Sequence, residues 1–418
     1  MTGETDWRAA YVGLIERLPA IVGSARLTVG GFSTCIDVYL ALREAFGPLA
    51  AAAHESPEGA AMLAALARRA ASGVGGELFV DWPGGPDWID RHVPGRRAIG
   101  GTSAQAAYML SALGARALIA AEDRSAGQLA VLHPATLVAG PEGLLPVAAV
   151  AGEGTSRPPH YIFEFTAGET VADAAVPRSS RTIVRFDHSA LQRDAAFVAA
   201  SVAAAPAAGA GILCGFNELP PATASAEIAY AADVARAWRR AGLPLVHVEL
   251  GDFDDEAVAD ETVRRLLPEA TSAGMSRSEL AHFATGGEPE DVTAIRLAEA
   301  YGLDRVCVHA DEWAFAVTRG DPEREREALE VGCLLAATRA ASGYFAVPAR
   351  VPDGARFLPP PFPPLARREG WSVACCASPW LEKPAATIGL GDTFLAGTLL
   401  VLGAVPRPVD RALAEETS

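Results

Sequence analysis

The chain has 418 residues, which is enough for one large domain with a smaller one or for two ordinary domains. Its formal net charge of −16 argues against nucleic acid or an anionic membrane as a partner, because such a surface repels phosphate groups. The six cysteines form no CxxC pair, and the N-terminus has no apolar signal segment. These features predict a cytoplasmic protein with reduced thiols.

Short apolar runs alternate with longer amphipathic segments along most of the chain. The predicted strands cover residues 26–32, 117–120, 182–186, 211–216, 245–250 and 305–309. The predicted helices cover residues 103–113, 225–241, 255–267, 292–301 and 323–342. Apolar and polar residues alternate little along these strands, and helices separate the strands. This pattern indicates a mainly parallel sheet covered on both faces. The predicted fold class is therefore α/β.

The segment 195–216 contains no charged residue and is long enough to span a bilayer. It is rich in alanine and contains Pro206, Gly209 and Gly211, so its transfer energy is small. We interpret it as a helix that ends near Pro206, followed by a buried strand.

Two regions, 41–98 and 135–185, contain short β-like pieces instead of the alternating pattern. We expect them to form a small, discontinuous lid domain over the C-terminal edge of the main sheet. Residues 1–40, 99–134 and 186–418 would then form the large α/β domain.

The segment 386–394, ATIGLGDTF, carries the sharpest chemical signal. Gly389 and Gly391 directly precede an apolar helix, where backbone N–H groups and the helix dipole favour an anion. A carboxylate at that place, Asp392, is positioned to take a proton from a hydroxyl group that attacks a phosphorus atom. The alternative is that Asp392 only caps the helix.

A second glycine-rich segment, GGTSAQAA at 100–107, places paired glycines before a helix of small residues. Such a helix start allows a ligand to lie against the backbone. Close helix packing is the alternative explanation. Neither a GxGxxG nor a GxxxxGK[ST] phosphate loop accounts for the pattern.

Taken together, the segments resemble the ADP-dependent glucokinase and phosphofructokinase family of ribokinase-like sugar kinases. The resemblance runs in the family's order through GFSTCID (31–37), GGTS (100–103), HYIFEF (160–165), RSSRTIV (178–184), HVE (247–249), GMSRSEL (274–280), VH (308–309) and GLGD (389–392). It covers nearly the whole chain, and HYIFEF is its most specific motif.

The resemblance implies a ribokinase-like three-layer core with a β-rich lid. It also implies a Mg²⁺-dependent kinase that transfers a phosphoryl group from ADP to a hydroxyl of a sugar-type acceptor. Asp392 would be the general base, and the amides of Gly389, Leu390 and Gly391 would bind the developing negative charge. A monomer or a small homo-oligomer is expected.

The resemblance also assigns ligand-binding residues. The acceptor site would comprise Cys35, Asp37, Glu77, Gly100, Gly101, Thr102 and His160. The adenine nucleotide would contact Arg178, Arg181 and His309, while Glu249 and Glu279 would organise Mg²⁺ through water. His247 and Glu249 are two residues apart on a strand, so their side chains share one face.

The chain departs from the family where the family has asparagines near the sugar. Ser33 and Cys35 occupy those positions, Thr102 and Ser103 follow the paired glycines, and Ser276 precedes the metal-linked glutamate. Because a polar pocket discriminates through such groups, the acceptor is not fixed as glucose or fructose 6-phosphate. The acid at Glu77 favours a neutral sugar or sugar-like alcohol.

Two other functions remain open at this point. One is an ATP-dependent ribokinase-like kinase for a nucleoside or unusual sugar. The other is a non-catalytic protein that binds a sugar or nucleotide.

Overall fold

The structure is a computed structural model that describes residues 5–186, 191–253 and 255–405. The helices are α1 Trp7–Ser24, α2 Leu42–Ala52, α3 Pro57–Ser72, α4 Gly85–His92, α5 Thr102–Ala112, α6 Ala126–Val131, α7 Ala195–Ala204, α8 Pro221–Arg240, α9 Glu256–Leu266, α10 Arg277–Ala281, α11 Glu290–Tyr301, α12 Pro322–Ser342 and α13 Leu390–Leu402. The strands are β1 Leu27–Gly31, β2 Cys35–Ala41, β3 Gly76–Phe79, β4 Arg96–Gly100, β5 Ala117–Ile119, β6 Leu137–Gly140, β7 Gly143–Pro146, β8 His160–Phe165, β9 Thr170–Val171, β10 Ala174–Ala175, β11 Ser180–Arg185, β12 Ala208–Leu213, β13 Val246–Glu249, β14 Ser272–Ser276, β15 Arg305–His309, β16 Trp313–Thr318, β17 Leu365–Arg368 and β18 Trp371–Ala377.

A large sheet of 11 strands forms the centre of the protein, in the order β17-β18-β16-β15-β14-β13-β12-β1-β5-β6-β7. All neighbours from β15 to β6 are parallel. The strands at both edges are antiparallel. This arrangement confirms the predicted α/β class with a mainly parallel sheet.

The two faces of the large sheet bury separate apolar cores. Side chains alternate along each strand, so Leu118 of β5 packs in the core with α7, α8, α9 and α11. Its neighbours Ala117 and Ile119 pack in the opposite core with α1, α5, α12 and α13. The sheet therefore lies between two helical layers.

A second sheet has five strands in the order β3-β11-β8-β2-β4. Val38 and Leu40 of β2 point into an apolar core shared with α2, α3 and α4. Cys35 and Asp37, on the same strand, line the cavity described below. The small sheet thus has one apolar face and one face that carries polar side chains.

Sheet membership differs from the sequence-based domain limits at two places. Residues 137–146, expected in the lid, lie in the large sheet, because Leu137 pairs in parallel with Leu118 and a tight hairpin then returns the chain. Strand Cys35–Ala41, expected in the large domain up to residue 40, pairs with β4 and β8 in the small sheet.

The uncharged segment 195–216 forms helix α7 and then strand β12, which is buried along its length. The strand begins at Ala208 and ends at Leu213, earlier than predicted. Within the described residues, no helix combines the length and the apolar character that crossing a membrane requires.

Candidate active site

A cavity of about 850 Å³ lies at the C-terminal ends of the parallel strands, between the two sheets. Its walls include almost every residue that the sequence analysis assigned to ligands: Cys35, Asp37, Glu77, Gly101, Thr102, His160, Arg178, Arg181, Glu249, Glu279, His309, Gly389, Leu390, Gly391 and Asp392. Gly100 lies behind this wall in β4, where a Cβ atom would come 2.2 Å from Oδ1 of Asp37. A glycine is therefore required there if Asp37 is to face the cavity.

The start of helix α13 forms one side of the cavity. Gly389 adopts a left-handed conformation with φ of 70°, which allows the chain to turn sharply into the helix. The first N–H groups of any helix have no acceptor within that helix, and here they belong to Leu390, Gly391 and Asp392. The helix start can therefore bind an anion.

Asp392 is half-buried in the first turn of α13. Burial raises the pKa of its carboxyl group, while the nearby Arg339 guanidinium and a hydrogen bond with Thr102 lower it. A carboxylate with a raised pKa is a stronger proton acceptor, as a general base requires.

Arg339 holds this helix start in place, and the sequence analysis missed it. Its guanidinium donates hydrogen bonds to the carbonyl of Gly389 (2.9 Å), to Thr393 Oγ1 (2.9 Å) and to Gln105 Oε1 (2.6 Å). The side chain is only 4% exposed, and burial lowers its pKa. The only sequence signal was an arginine within the apolar stretch of α12.

Strand pairing brings together Cys35, Asp37 and His160 at the small-sheet side of the cavity. Asp37 pairs in register with His160, and Cys35 is two residues away on the same face of β2. Cys35 Sγ lies 3.7 Å from Asp37 Oδ1 and 3.6 Å from His160 Nδ1. Burial and the negative charge of Glu218 raise the pKa of Asp37 to about 7. Because the sequence resemblance predicts that they bind the acceptor, we call these three residues the acceptor triad.

Two further carboxylates accompany the triad and share one buried arginine. Arg185 NH1 lies 3.0 Å from Glu77 Oε2 and 3.3 Å from Glu218 Oε2. Burial and the charge of Glu218 raise the pKa of Glu77 to about 7. With Asp37 nearby, negative groups outnumber this single cation. Arg185 and Glu218 were absent from the sequence prediction because nothing near them in the chain marks their partners.

On the large-sheet side, Glu249 is fixed by two histidines. His247 Nε2 donates to Glu249 Oε2 at 2.8 Å, and His309 Nε2 lies 3.5 Å from Glu249 Oε1. Burial acts to raise the pKa of Glu249, but these hydrogen bonds lower it to about 2. The carboxylate therefore stays ionised at neutral pH.

Glu279 and His309 lie near this carboxylate. Burial raises the pKa of Glu279, and the charge of Glu249 adds to this effect. Glu279 also completes a capping box with Ser276 at the start of α10. A Cβ atom at Gly391 would lie 3.2 Å from Cε1 of His309, so the imidazole ring lies against the start of α13.

Arg178 and Arg181 lie on the rim of the cavity, just before and at the beginning of β11. Arg178 is exposed and Arg181 is half-buried. Both cations are thus available to an anionic ligand that enters the cavity.

A mainly parallel sheet between helical layers, a small second sheet over its strand ends, and a carboxylate at a glycine-preceded helix start define a ribokinase-like α/β protein. Residues 29–401 match the profile of the ADP-specific phosphofructokinase/glucokinase conserved region. The chain therefore belongs to the ADP-specific phosphofructokinase/glucokinase family.

Individual relatives are distant in sequence. An ADP-specific phosphofructokinase from Thermococcus litoralis is 26% identical over 185 residues, which cover 36% of this chain and 40% of the relative. The alignments thus span about two fifths of the curated relatives' length.

Solved structures are similar over much longer stretches. An ADP-dependent kinase in complex with fructose 6-phosphate and ADPβS superimposes with a TM-score of 0.72 at 18% identity, covering 96% of this chain and 99% of that one. A phosphofructokinase from Pyrococcus horikoshii OT3 with AMP gives a TM-score of 0.70 at 18% identity, covering 90% and 98%. At 18% identity, these structural similarities establish a shared fold and nothing further.

Proposed function

We propose that the protein transfers a phosphoryl group from ADP to a hydroxyl group of an uncharged sugar or sugar-like alcohol. The position of Asp392 is the main observation that supports this proposal. It lies at a glycine-preceded helix start, in the same cavity as the acceptor triad. This arrangement supplies both requirements of the reaction, a base for the hydroxyl and an anion site for the phosphoryl group.

The acceptor is proposed to bind between the triad and Asp392. Asp37 and His160 offer hydrogen-bonding groups for hydroxyls, and both are nearly buried, with 5% and 7% exposure. Glu77 and Glu218 make this end of the cavity negative, which opposes a phosphorylated acceptor. Support for an uncharged acceptor therefore comes from the charge balance around Arg185.

The nucleotide is proposed to bind on the other side of Asp392. Arg178 and Arg181 are suited to its phosphates, and His309 lies against the helix start. The family membership and the solved relatives with AMP and ADPβS support ADP as the donor. ATP as donor is the competing outcome of the experiment below.

The carboxylates of Glu249 and Glu279 fit a hydrated Mg²⁺ ion. Both side chains line the cavity, and Glu249 is held ionised. Because both Glu249 oxygens interact with histidines, water-mediated contact suits this site better than direct ligation. When bound, Mg²⁺ would neutralise negative charge on the phosphate oxygens.

In the proposed reaction, the acceptor hydroxyl loses its proton to Asp392 and its oxygen forms a bond to the terminal phosphorus of ADP. The bond from that phosphorus to the bridging oxygen breaks, and AMP leaves with the electron pair. The amides of Leu390 and Gly391, together with that of Gly389, are proposed to hold the migrating negative charge. Closure of the cavity between the two sheets would exclude water as a competing nucleophile.

The test is a transfer assay with ADP and ATP against neutral sugars, sugar phosphates and nucleosides. Asp392→Asn should lower kcat about 100- to 10,000-fold, the usual contribution of a general base, with nucleotide affinity nearly unchanged. Asp321→Asn is the matched control, because Asp321 caps α12 outside the cavity through a bond to the Glu323 amide. Turnover of Asp392→Asn equal to that of this control, or no transfer to any acceptor by the wild type, would refute the proposal.

A further inference from the structure

The acceptor triad combines three different metal-binding groups: the Cys35 thiol, the Asp37 carboxylate and the His160 imidazole. Their donor atoms all lie within 4.8 Å of one another. The separations are 3.6 Å for Sγ to Nδ1, 3.7 Å for Sγ to Oδ1 and 3.8 Å for Nδ1 to Oδ1. The three atoms thus form a nearly equilateral triangle.

This triangle is close to the size that a tetrahedral metal ion requires. Zn²⁺ binds nitrogen and oxygen at about 2.0–2.2 Å and sulfur at about 2.3 Å, so tetrahedral angles place its ligand atoms about 3.4–3.6 Å apart. The three observed separations exceed these values by a few tenths of an ångström at most, roughly the adjustment that side-chain rotation supplies. In the metal-free chain the two edges from Cys35 Sγ are hydrogen bonds of the thiol, while the 3.8 Å edge between His160 Nδ1 and Asp37 Oδ1 is too long for one.

The surrounding backbone keeps this position open. Cys35 pairs with Gly100, where a Cβ atom would lie 2.7 Å from Cys35 Sγ and 2.2 Å from Asp37 Oδ1. Asp37 of β2 pairs in register with His160 of β8, and this pairing fixes the position of the third donor group. Rigid strands, not loops, therefore present all three donor atoms.

The donor set selects the kind of ion. Thiolate and imidazole ligands favour Zn²⁺, whereas Mg²⁺ prefers oxygen ligands such as Glu249 and Glu279 at the other end of the cavity. Three protein ligands leave one coordination position of Zn²⁺ free, and here the triad borders the cavity.

We propose that Cys35, Asp37 and His160 form a Zn²⁺ site at the acceptor end of the cavity, with its fourth position directed into the cavity for water or a ligand hydroxyl. With Zn²⁺ bound, an acceptor hydroxyl would reach Asp37 and His160 through the ion and not through the direct hydrogen bonds of the metal-free site. Zinc binding is a property of the triad itself and is measured without turnover. Its failure is therefore distinguishable from failure of the proposed kinase activity.

The experiment titrates Zn²⁺ into the full chain, stripped of metal and kept in excess Mg²⁺, against a chromogenic chelator of known affinity. We expect one Zn²⁺ per chain with a dissociation constant below about 1 μM. Cys35→Ser and His160→Asn should each weaken binding at least tenfold. Cys214→Ser is the matched control, because Cys214 also lines the cavity but its Sγ contacts the Gly31 carbonyl at 3.7 Å.

Cobalt provides a second readout, and its wild-type result does not depend on how well any variant folds. Co²⁺ in the wild-type protein and in Cys214→Ser should show a thiolate-to-cobalt charge-transfer band, and Cys35→Ser should lack it. Absence of the band in the wild type would overturn the proposal. Zn²⁺ affinity that survives in both triad variants, or that disappears only in Glu249→Gln, would also overturn it.

Discussion

Replacing Gly389 by alanine tests whether the start of α13 is as tightly constrained as the structure indicates. The left-handed φ of 70° costs a non-glycine residue about 1–2 kcal/mol. The new Cβ atom would also lie 2.2 Å from Gln105 Oε1 and 2.3 Å from Arg339 NH2. Both atoms end flexible side chains and can move, but moving them breaks the 2.6 Å bond between them. A hydrogen bond to a charged group contributes about 1.5–3 kcal/mol, so the total loss is about 2.5–5 kcal/mol.

The assay compares the free energy of unfolding in urea and kcat for Gly389→Ala and Gly302→Ala. Gly302 ends α11 with nearly the same φ of 68°, and no atom lies within 4 Å of a Cβ placed there. Gly302→Ala should therefore lose only about 1–2 kcal/mol and keep its turnover. Gly389→Ala should lose more stability and at least tenfold in kcat, because Arg339 can no longer hold the helix start. Equal stability loss and equal turnover in the two variants would refute this account.

The remaining predictions concern charge within the cavity. Glu77→Gln and Glu218→Gln should each raise kcat/KM for a sugar phosphate relative to the neutral sugar severalfold, because each substitution removes a negative group that would repel the phosphate. The effect of Glu77→Gln should be larger above pH 7 than below it, because the pKa of Glu77 is about 7. Glu312→Gln is the control, because Glu312 lines the cavity without pairing with Arg185, and an equal change there would argue against local charge selection. Glu279→Gln should raise the Mg²⁺ concentration needed for half-maximal rate severalfold, and an unchanged Mg²⁺ dependence would remove Glu279 from the metal site.

The fold class and the location of the cavity were predictable because local sequence determines both. Short, mainly apolar runs such as 305–309 predict buried strands when helices separate them, and parallel strands direct their C-terminal ends to one edge. Residues at these ends, including Glu249 and His309, then meet in one cavity. The GLGD segment could be assigned to the same cavity because its glycines indicate the start of a helix. The roles of these residues remain predictions.

The domain limits were less predictable because short strands carry little information about their partners. β6 and β7 have four residues each, and only pairing of Leu137 with Leu118 assigns them to the large sheet. β2 begins four residues after β1 ends, yet it belongs to the other sheet. Neither feature appears in the hydrophobic pattern.

The partners of two buried arginines were missed for a related reason. Arg185 is separated from Glu77 by 108 positions, and Arg339 from Gln105 by 234. An isolated arginine in the sequence is indistinguishable from one on the surface. Only the folded chain shows that these two guanidinium groups are buried, with 6% and 4% exposure, and that each organises one side of the cavity.

The same long-range dependence determines the protonation of His247. Arg305 NH1 donates to Ser272 Oγ at 3.1 Å, so the hydroxyl hydrogen of Ser272 is free to point at His247 Nδ1, 2.8 Å away. Burial lowers the pKa of His247, so the ring is neutral and carries its single proton on Nε2, which donates to Glu249. Arg305 is itself held by Glu325, with Nε 2.9 Å from Oε1. The buried ion pair between Arg305 of β15 and Glu325 of α12 thus orients the histidine that keeps a cavity carboxylate ionised. The HVE motif alone gave no sign of this link.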